Sequence, residues 1–357
     1  MVKQKVIVLY GGRSTEHEIS RRSATFIFKN IDQSKYEVIP VGITKEGKWC
    51  LQDTSKVFSS DDVVAPLEDR PETVSLVDLS NAVEKEAIVA FSTLHGTYGE
   101  DGCTQGLLEL RSLAYVGPGV LGSAIAMDKV VAKKLLAAID VPVVPWVDFR
   151  LDDWDLESQK IMDKINAELS YPLYVKPANL GSSVGISKVK EKAELQKAIQ
   201  VALSFDEKIL VESGLDVREI EFAALGGYHP KISAPGEVVA KTDFYSYESK
   251  YEDKDSSEVI IPADLPKEKA EQGRELVKTI FKELNLHGLS RIDLFLEKKT
   301  GNFYFNEANT LPGFTSISQY PLLWKHEGLS EDQLIDELIK NALDRWTKQS
   351  KLTRSYS

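Results

Sequence analysis

Short apolar runs that alternate with helical or polar stretches constrain the fold of this chain most strongly. In the first third of the sequence, such runs occupy residues 6–10, 37–43 and 87–91. Strands separated by crossover segments of this length are typical of a parallel sheet covered by helices. We therefore predict an N-terminal α/β domain with a parallel sheet over residues 1–122.

A second, smaller unit is predicted over residues 123–212. Asp128 has the residue type and position of a helix N-cap, and the helix that it begins must end before Pro142. Two apolar runs follow at 173–176 and 209–212, and both have the length of a strand. These elements indicate a small α+β lobe.

Longer strands and two amphipathic helices characterise the remainder of the chain, residues 213–357. The apolar periodicity predicts helices over 267–284 and 329–346. Between the strands, segment 244–257 is rich in Tyr, Ser, Asp, Glu and Lys and has little apolar periodicity. Long polar loops of this kind often act as lids over a site.

The charge of the chain limits its partners. Its 357 residues carry a net charge of −11, and no basic block is present that would neutralise a phosphate backbone. We therefore predict no binding to nucleic acid or to anionic membranes. An acidic ligand must instead be held by a few lysines and arginines gathered in a pocket.

Cysteine content and hydropathy predict a cytoplasmic protein. Cys50 and Cys103 lack metal-ligand spacing, which favours free thiols in a reducing compartment, although a single disulfide stays open. The sequence contains neither a signal-peptide stretch nor a membrane-spanning run of about 18 apolar residues.

Two strand-forming runs near the C-terminus carry a group of oxygen-bearing side chains. Arg291 and Asp293 lie in the first run, a turn is expected at Gly301, and Glu307 and Asn309 lie in the second. Alternation places Asp293, Glu307 and Asn309 on one face of the strand pair. Carboxylate and amide oxygens suit Mg²⁺, which proteins commonly hold against substrate phosphates.

Lysines at the ends of predicted elements suggest a nucleotide site. Lys129 begins a helix, and Lys176 ends an apolar strand immediately before the Gly/Ser-rich loop 177–185. Backbone N–H groups of such a loop can surround phosphate. Glu212 and Glu219 lie beside a predicted hinge, where carboxylates can accept an adenine amine or ribose hydroxyls; exposed surface glutamates are the alternative.

One segment with two glycines resembles a phosphate-binding motif in its residue spacing. Residues 42–48 have the glycine and lysine spacing of a P-loop, but Trp49 replaces the required Ser or Thr. The segment follows a predicted strand, and its composition is typical of a tight connection. We therefore predict a hairpin turn there.

Segment 11–20 predicts a strand-to-helix turn at the carboxyl end of the first strand, where open α/β sheets bind ligands. Thr15 and Glu18 have the spacing of a capping box. Glu16, in the same turn, either receives a cationic substrate group or complements the helix dipole. His95, in a second glycine-rich turn, is either a structural residue or a group that orients a ligand.

Several segments together resemble the motifs of D-alanine:D-alanine ligases. They occur in the family order, and the set is specific and extends over nearly the whole chain. The segments are residues 11–20, 95–102, 127–129, 175–177, 181–185 and 306–318. The resemblance implies a Rossmann-like N-terminal domain of pre-ATP-grasp type, followed by a two-lobed ATP-grasp fold with the metal site and a lid at 244–257 in the C-terminal lobe.

The same resemblance implies a reaction. ATP phosphorylates the carboxylate of one D-alanine, and the amine of a second D-alanine then displaces phosphate from the acyl phosphate. The product serves peptidoglycan synthesis in the bacterial cytoplasm. The resemblance further implies two Mg²⁺ or Mn²⁺ ions per active site and a homodimer.

Family motifs also imply binding roles for individual residues. Metal ligation is implied for Asp293, Glu307 and Asn309. Nucleotide binding is implied for Lys129, Lys176, Ser183, Glu212, Glu219 and Lys250.

Catalytic roles follow from the same motifs. Glu16 would hold the ammonium of the first substrate, with His95 nearby, and Ser318 would hold the carboxylate of the second. Arg291 and the backbone at Gly313 would stabilise the oxyanion and the transferring phosphoryl group. In addition, the lid would be linked to the first-substrate site through the pair Ser182 and Tyr251.

The second substrate is less constrained than the reaction type. Tyr251 resembles the lid tyrosine of enzymes that use D-alanine twice, whereas ligases that use D-serine or D-lactate are the alternative. Two other classes are a carboxylate–amine ligase for a different amino acid and a non-catalytic nucleotide-binding regulator. The first should lack the Glu16, Ser182 and Tyr251 set, and the second should lack intact metal ligands.

Overall fold

The chain forms three β-sheets with helices packed against them. The computed structural model describes residues 3–59, 64–68, 88–240 and 257–353. The strands are β1 (Gln4–Gly11), β2 (Tyr36–Ile43), β3 (Trp49–Leu51), β4 (Ile88–Ser92), β5 (Ala114–Tyr115), β6 (Trp146–Arg150), β7 (Leu173–Pro177), β8 (Ser187–Val189), β9 (Lys208–Ser213), β10 (Val217–Gly226), β11 (Lys231–Ile232), β12 (Gly236–Ala240), β13 (Ser257–Ile260), β14 (Gly288–Glu297) and β15 (Phe303–Asn309). The helices are α1 (His17–Asn30), α2 (Thr54–Ser59), α3 (Cys103–Leu110), α4 (Val120–Met127), α5 (Lys129–Ala137), α6 (Leu151–Glu168), α7 (Lys192–Leu203), α8 (Lys267–Glu283), α9 (Gln319–His326) and α10 (Glu331–Ser350).

The first sheet has the strand order β3-β2-β1-β4-β5, and β1 is parallel to both of its neighbours. The predicted parallel sheet is therefore confirmed. The strand β3 pairs antiparallel with β2, and Gly47 in the connection has φ +91°, a left-handed conformation that favours glycine. Residues 42–48 thus form the predicted hairpin turn and not a phosphate cradle.

The second sheet is antiparallel, with the strand order β6-β9-β7-β8. It contains both strands that were predicted in the central unit. The helix α5 precedes it, and the Asp128 carboxylate accepts hydrogen bonds from the backbone N–H groups of Val130 and Val131, each at 3.0 Å. The predicted N-cap is therefore confirmed, because this geometry satisfies two otherwise unpaired helix donors.

The third sheet is also antiparallel and has the order β13-β12-β10-β14-β15, with β11 paired to β10. The helices α8 and α10 lie where the periodicity predicted them, within a few residues at each end. A capping box between Ser330 and Gln333 begins α10. This pairing satisfies backbone donors at the first turn of the helix.

The predicted capping box at the start of α1 is wrong. Glu16 is the N-cap residue, and no side chain caps this end of the helix. Because Glu18 is then only the second helical residue, it does not occupy the third position that a capping box requires. The Glu18 carboxylate instead accepts a hydrogen bond from Arg21 Nη1 at 3.0 Å.

The largest apolar core joins the beginning of the chain to its end. Buried residues of β1, such as Val8 and Tyr10, belong to the same cluster as Leu334 and Leu338 of α10. Arg345 of α10 also donates a hydrogen bond to the Gly117 carbonyl at 2.6 Å. Within the described residues, no helix is both long enough and apolar enough to cross a membrane.

Candidate active site

A cavity of about 220 Å³ lies between the two antiparallel sheets. Its walls come from β7 and β9 on one side and from β10, β14 and β15 on the other, with the start of α5 beside them. The predicted site residues that line it are Lys129, Lys176, Ser183, Glu212, Glu219, Arg291, Asp293 and Glu307.

The strand pair β14–β15 brings four polar side chains together on one face, and three of them, all but Asn309, line the cavity. Arg291 lies opposite Asn309 and Asp293 lies opposite Glu307 in the strand register. Asn309 Nδ2 donates a hydrogen bond to Asp293 Oδ2 at 2.9 Å. Because side chains two residues apart share a face, regular strand geometry produces this group.

A β-bulge widens this group. Asp293 pairs with Glu307, but Leu294 pairs with Phe305, so Asn306 is an extra residue in β15. Consecutive strand residues normally point to opposite faces, yet Asn306 and Glu307 both line the cavity. The bulge thus adds an amide to the carboxylate face.

Arg291 is the centre of an ion-pair network. Its Nε and Nη2 atoms donate to the two carboxylate oxygens of Asp293 at 2.8 and 2.7 Å, and Nε lies 2.9 Å from Glu221 Oε2. Burial alone would lower the pKa of Arg291, but the charges of Asp293 and Glu221 raise it well above its ordinary value. The guanidinium is therefore a fixed positive charge.

Carboxylates outnumber cationic groups in the described lining of the cavity. The cationic side chains are Lys129, Lys176 and Arg291, whereas the carboxylates are Glu212, Glu219, Glu221, Asp293 and Glu307. In the part of the chain that the structure describes, no group of three or more His, Cys, Asp or Glu side chains is arranged to hold a metal ion. The predicted metal set contains two carboxylates and one amide.

Lys129 connects three elements at the cavity. Its Nζ donates a hydrogen bond to the Leu180 carbonyl at 2.7 Å and lies 3.3 Å from Glu307 Oε2. The helix α5 is thereby tied to the Gly/Ser-rich loop and to β15. A lysine in this position presents its ammonium group to the cavity between all three.

Glu212 lies between two lysines. Lys176 Nζ donates a hydrogen bond to Glu212 Oε1, and Lys133 Nζ lies 3.0 Å from Glu212 Oε2. Burial would raise the pKa of Glu212, but the two ammonium groups lower it to about 2. Burial lowers the pKa of Lys133, whereas at Lys176 the charge and hydrogen bond of Glu212 outweigh burial and raise the pKa.

Ser182 of the Gly/Ser-rich loop contacts the turn that follows β1. Ser182 Oγ donates to Glu16 Oε1 at 2.5 Å, across 166 residues of sequence. Ser182 and Ser183 both have left-handed backbone conformations, with φ of +53° and +60°. Non-glycine residues rarely adopt this conformation, and such residues concentrate at functional sites.

His95 is buried, with 4% of its surface exposed, and both ring nitrogens have partners. Its Nδ1 lies 2.8 Å from the Leu311 carbonyl and its Nε2 lies 2.9 Å from Ser23 Oγ. Burial lowers the pKa of His95, although the negative charge of Glu16 opposes this shift. The geometry fits the structural interpretation and also places the ring near Glu16.

Glu100 completes the same turn. Its carboxylate accepts hydrogen bonds from the backbone N–H groups of Gly96 and Leu311 at 2.9 and 2.8 Å. Burial, followed by the charge of Glu16, raises the pKa of Glu100 to about 7. This carboxyl group therefore titrates near neutral pH.

Gly313 and Ser318 lie together in the segment before α9. A Cβ atom at Gly313 would lie 3.0 Å from Ser318 Oγ, so glycine permits this close approach. Ser318 Oγ accepts a hydrogen bond from the Thr315 backbone at 3.1 Å. Lys250 and Tyr251 lie outside the described residues, as does lid segment 244–257 apart from its last residue.

Two family models match most of the chain. The model described as D-ala D-ala ligase N-terminus matches residues 5–118, and the model described as D-ala D-ala ligase C-terminus matches residues 135–340. The chain belongs to the D-alanine–D-alanine ligase family. Membership implies use of ATP, a divalent metal ion and small-molecule substrates.

Relatives of this ligase family match at nearly full length. The D-alanine–D-alanine ligase of Caldicellulosiruptor bescii is 48% identical over 354 residues, which cover 97% of this chain and 96% of that protein. The structure of the D-alanine–D-alanine ligase from Coxiella burnetii has a TM-score of 0.80 at 33% identity and covers 98% of this chain and 96% of that one.

A third similar protein is named for a different second substrate. The VanG D-Ala:D-Ser ligase from Enterococcus faecalis has a TM-score of 0.81 at 35% identity and covers 96% of this chain and 100% of that one. These comparisons confirm the predicted family and its ATP-grasp fold.

Sequence reasoning about this family member missed Glu221, which lines the cavity, and Lys133, which lies behind the cavity wall against Glu212. Lys133 lies one helical turn after Lys129, and Glu221 lies two residues after Glu219 on β10. Helix and strand periodicity at those two predicted residues was the signal that would have found them. No comparable signal identified Ser23 as the partner of His95.

Proposed function

We propose that this protein joins two D-alanine molecules to D-alanyl-D-alanine at the expense of ATP, for peptidoglycan precursor synthesis in the bacterial cytoplasm. The observation that carries this proposal is the 2.5 Å hydrogen bond from Ser182 to Glu16. It connects a loop at the lysine- and carboxylate-lined cavity to a buried carboxylate in the first domain. A nucleotide and an amino acid bound on its two sides would therefore be neighbours.

The cavity is the proposed ATP site. Lys129 and Lys176 supply ammonium groups for the phosphates, and the loop around Ser183 supplies backbone N–H groups. Glu212 and Glu219 are the proposed acceptors for the adenine amine and the ribose hydroxyls. Lys250 is the remaining proposed phosphate ligand, by its position in the family motif.

Asp293, Glu307 and Asn309 are the proposed metal ligands. The set fits Mg²⁺ or Mn²⁺ because hard oxygen donors lie on adjacent strands and the described cavity lining has excess negative charge. Two ions per site are proposed, as the motif implies. Bound there, they would neutralise phosphate charge and polarise the transferring phosphoryl group.

In the proposed reaction, the first D-alanine carboxylate attacks the γ-phosphorus of ATP, and ADP leaves. The amine of the second D-alanine then attacks the acyl carbon of D-alanyl phosphate, loses a proton, and phosphate departs from the tetrahedral intermediate. Arg291 and the Gly313 backbone would stabilise negative charge in these steps. No covalent enzyme nucleophile is required.

Substrate positioning is assigned to the turn residues. Glu16 would receive the ammonium group of the first D-alanine, and the buried His95 ring lies near it. Ser318 would receive the carboxylate of the second D-alanine. Ser182 and Tyr251 would connect the lid to Glu16, so that closure excludes water from the acyl phosphate.

Domain organisation and assembly belong to the same proposal. We assign residues 1–122, 123–212 and 213–357 to three domains, and the division is supported by the three sheets, which fall within these ranges apart from Ser213 at the end of β9. By similarity, the protein acts as a homodimer.

Product analysis by mass spectrometry tests the proposal. The protein is incubated with ATP, Mg²⁺ and D-alanine, alone and in competition with D-serine and D-lactate, while phosphate release is measured. D-alanyl-D-alanine with equal amounts of ADP and phosphate is expected. D-alanyl-D-serine as the main product would favour the second candidate, which the similarity to the VanG ligase motivates; absence of product and ADP would refute both.

A further inference from the structure

Lys133 is a buried cation that does not line the cavity. Only 1% of its side chain is exposed, and its Nζ lies 3.0 Å from Glu212 Oε2. On another side, the ammonium group lies 5.8 Å from the centre of the Trp146 ring. A ligand in the cavity would therefore not touch Lys133, and its effect on such a ligand must act through Glu212.

Glu212 would otherwise neutralise the lysine that faces the phosphates. Lys176 is bound to Glu212 Oε1, and a lysine–carboxylate pair alone has no net charge. The lowered pKa of Glu212 keeps this carboxylate ionised at neutral pH. With the Lys133 ammonium 3.0 Å from the second oxygen, the three side chains carry a formal net charge of +1.

The three side chains Lys133, Glu212 and Lys176, called the trio below, lie beside a cavity in which a positive charge favours phosphate binding. The described cavity lining contains more carboxylates than cationic groups, so its field opposes a polyphosphate. Inside a protein, where the effective dielectric constant is well below that of water, the charge of a buried lysine still acts on a polyphosphate several ångströms away. A single buried lysine therefore changes nucleotide affinity measurably.

We infer that Lys133 is a positioning residue for the nucleotide phosphates: it shares the charge of Glu212, so that Lys176 keeps a net positive charge directed at the cavity. This inference rests on the proposed ATP site. It separates recognition of phosphate charge, which depends on Lys133, from recognition of the nucleoside, which does not.

Binding of ADP and of adenosine to the Lys133→Met variant tests this inference. In isothermal titration calorimetry with Mg²⁺, ADP affinity should fall by about tenfold while adenosine affinity stays unchanged. Lys134→Met is the matched control, since Lys134 is the next residue of α5, is exposed and pairs with Asp148 at 2.8 Å. The Lys134→Met variant should bind ADP and adenosine with the affinities of the unmodified protein.

A charge series sharpens the test. Glu212→Gln raises the net charge of the trio to two, and Lys133→Met with Glu212→Gln restores it to one. The ratio of ADP affinity to adenosine affinity should be highest in Glu212→Gln, equal in the double variant and the unmodified protein, and lowest in Lys133→Met. The ratio removes any common loss from the adenine contact of Glu212, and the double variant contains no unpaired buried carboxylate.

The outcomes are distinguishable. Equal loss of ADP and adenosine binding in Lys133→Met would assign Lys133 a structural role and overturn the inference. Unchanged ADP binding in that variant, together with loss in Lys176→Met, would overturn the inference and leave the proposed ATP site intact. Failure of the unmodified protein to bind ADP would overturn the proposed function itself.

Discussion

The two sides of the proposed active site are built differently. The carboxylate face of β10, β14 and β15 follows from strand register, which sets Asp293 opposite Glu307. The substrate side around Glu16 is assembled from turns that lie far apart in sequence and meet through side-chain hydrogen bonds, such as those of Ser182 and Glu100. Regular backbone pairing therefore fixes one side, whereas individual side-chain contacts fix the other.

The largest expected effect is a loss of kcat on the carboxylate face, the side that strand register builds. Glu307→Gln should lower kcat about 10³-fold, because it removes a carboxylate from the proposed metal set and the partner of Lys129. Stability should change little, since the strand pairing is retained. Steady-state phosphate release and thermal unfolding measure the two quantities.

Glu297→Gln on β14 is the matched control for Glu307→Gln. Glu297 accepts a hydrogen bond from Thr300 at 2.5 Å in the exposed end of the same hairpin. The kcat of the Glu297→Gln variant should equal that of the unmodified protein. Near-normal turnover in Glu307→Gln would remove Glu307 from the proposed metal site.

A smaller loss of activity is expected on the side around Glu16, which is assembled from turns. Ser182→Ala removes the hydrogen bond to Glu16 and should lower kcat/KM for D-alanine by about 10- to 100-fold, as expected for a hydrogen bond to a charged group. ADP binding should be retained, because the Gly/Ser loop keeps its contact with Lys129. Ser187→Ala on β8 is the control, and an equal loss in both variants would contradict a specific role of Ser182.

The pH dependence of stability probes the same turns. The pKa of Glu100 is raised to about 7 in the fold, so between about pH 4.5 and pH 7 the folded state holds a proton that the unfolded state has lost. Stability should therefore fall as pH rises through this window. In Glu100→Gln this fall should be smaller by about 2 kcal/mol, after allowance for solvent screening.

Denaturant unfolding at pH 5 and pH 8 measures this difference. The constant cost of replacing a carboxylate that accepts two backbone N–H groups cancels between the two pH values. Identical pH dependence in the variant and the unmodified protein would show that Glu100 does not titrate in this window.

The smallest effect concerns the helix that presents Lys129. Asp128→Ala should cost about 1 kcal/mol of unfolding free energy, because it removes the N-cap of α5. Asp128→Asn should retain most of that stability, since its amide oxygen still accepts from the backbone. Equal losses in the two variants would assign the effect to the ion pair with Lys208 instead.

The carboxylate face was easier to predict from the sequence than the turns around Glu16. Strand alternation was enough to group Asp293, Glu307 and Asn309, because register carries that information. The bulge at Asn306 was not predicted, although two consecutive polar residues, Asn306 and Glu307, interrupt the apolar alternation of β15. The capping-box prediction at Thr15 and Glu18 was wrong because the helix begins one residue later than the motif requires.

Contacts between distant turns were the least predictable. His95 meets Ser23 and the Leu311 carbonyl only in the folded chain, 72 and 216 residues away. The Ser182–Glu16 pair came from the family motif and not from local pattern. Side-chain hydrogen bonds across such separations depend on the packing of whole sheets, which no local period encodes.

The shared core of β1 and α10 has a consequence for biosynthesis. One face of the first sheet packs on side chains from α10, which ends at Ser350. A chain emerging from the ribosome exposes part of that face until α10 has been translated. Truncation after Leu329 would consequently leave the N-terminal sheet without part of its apolar cover and prone to aggregate, although no residue of the cavity would be missing.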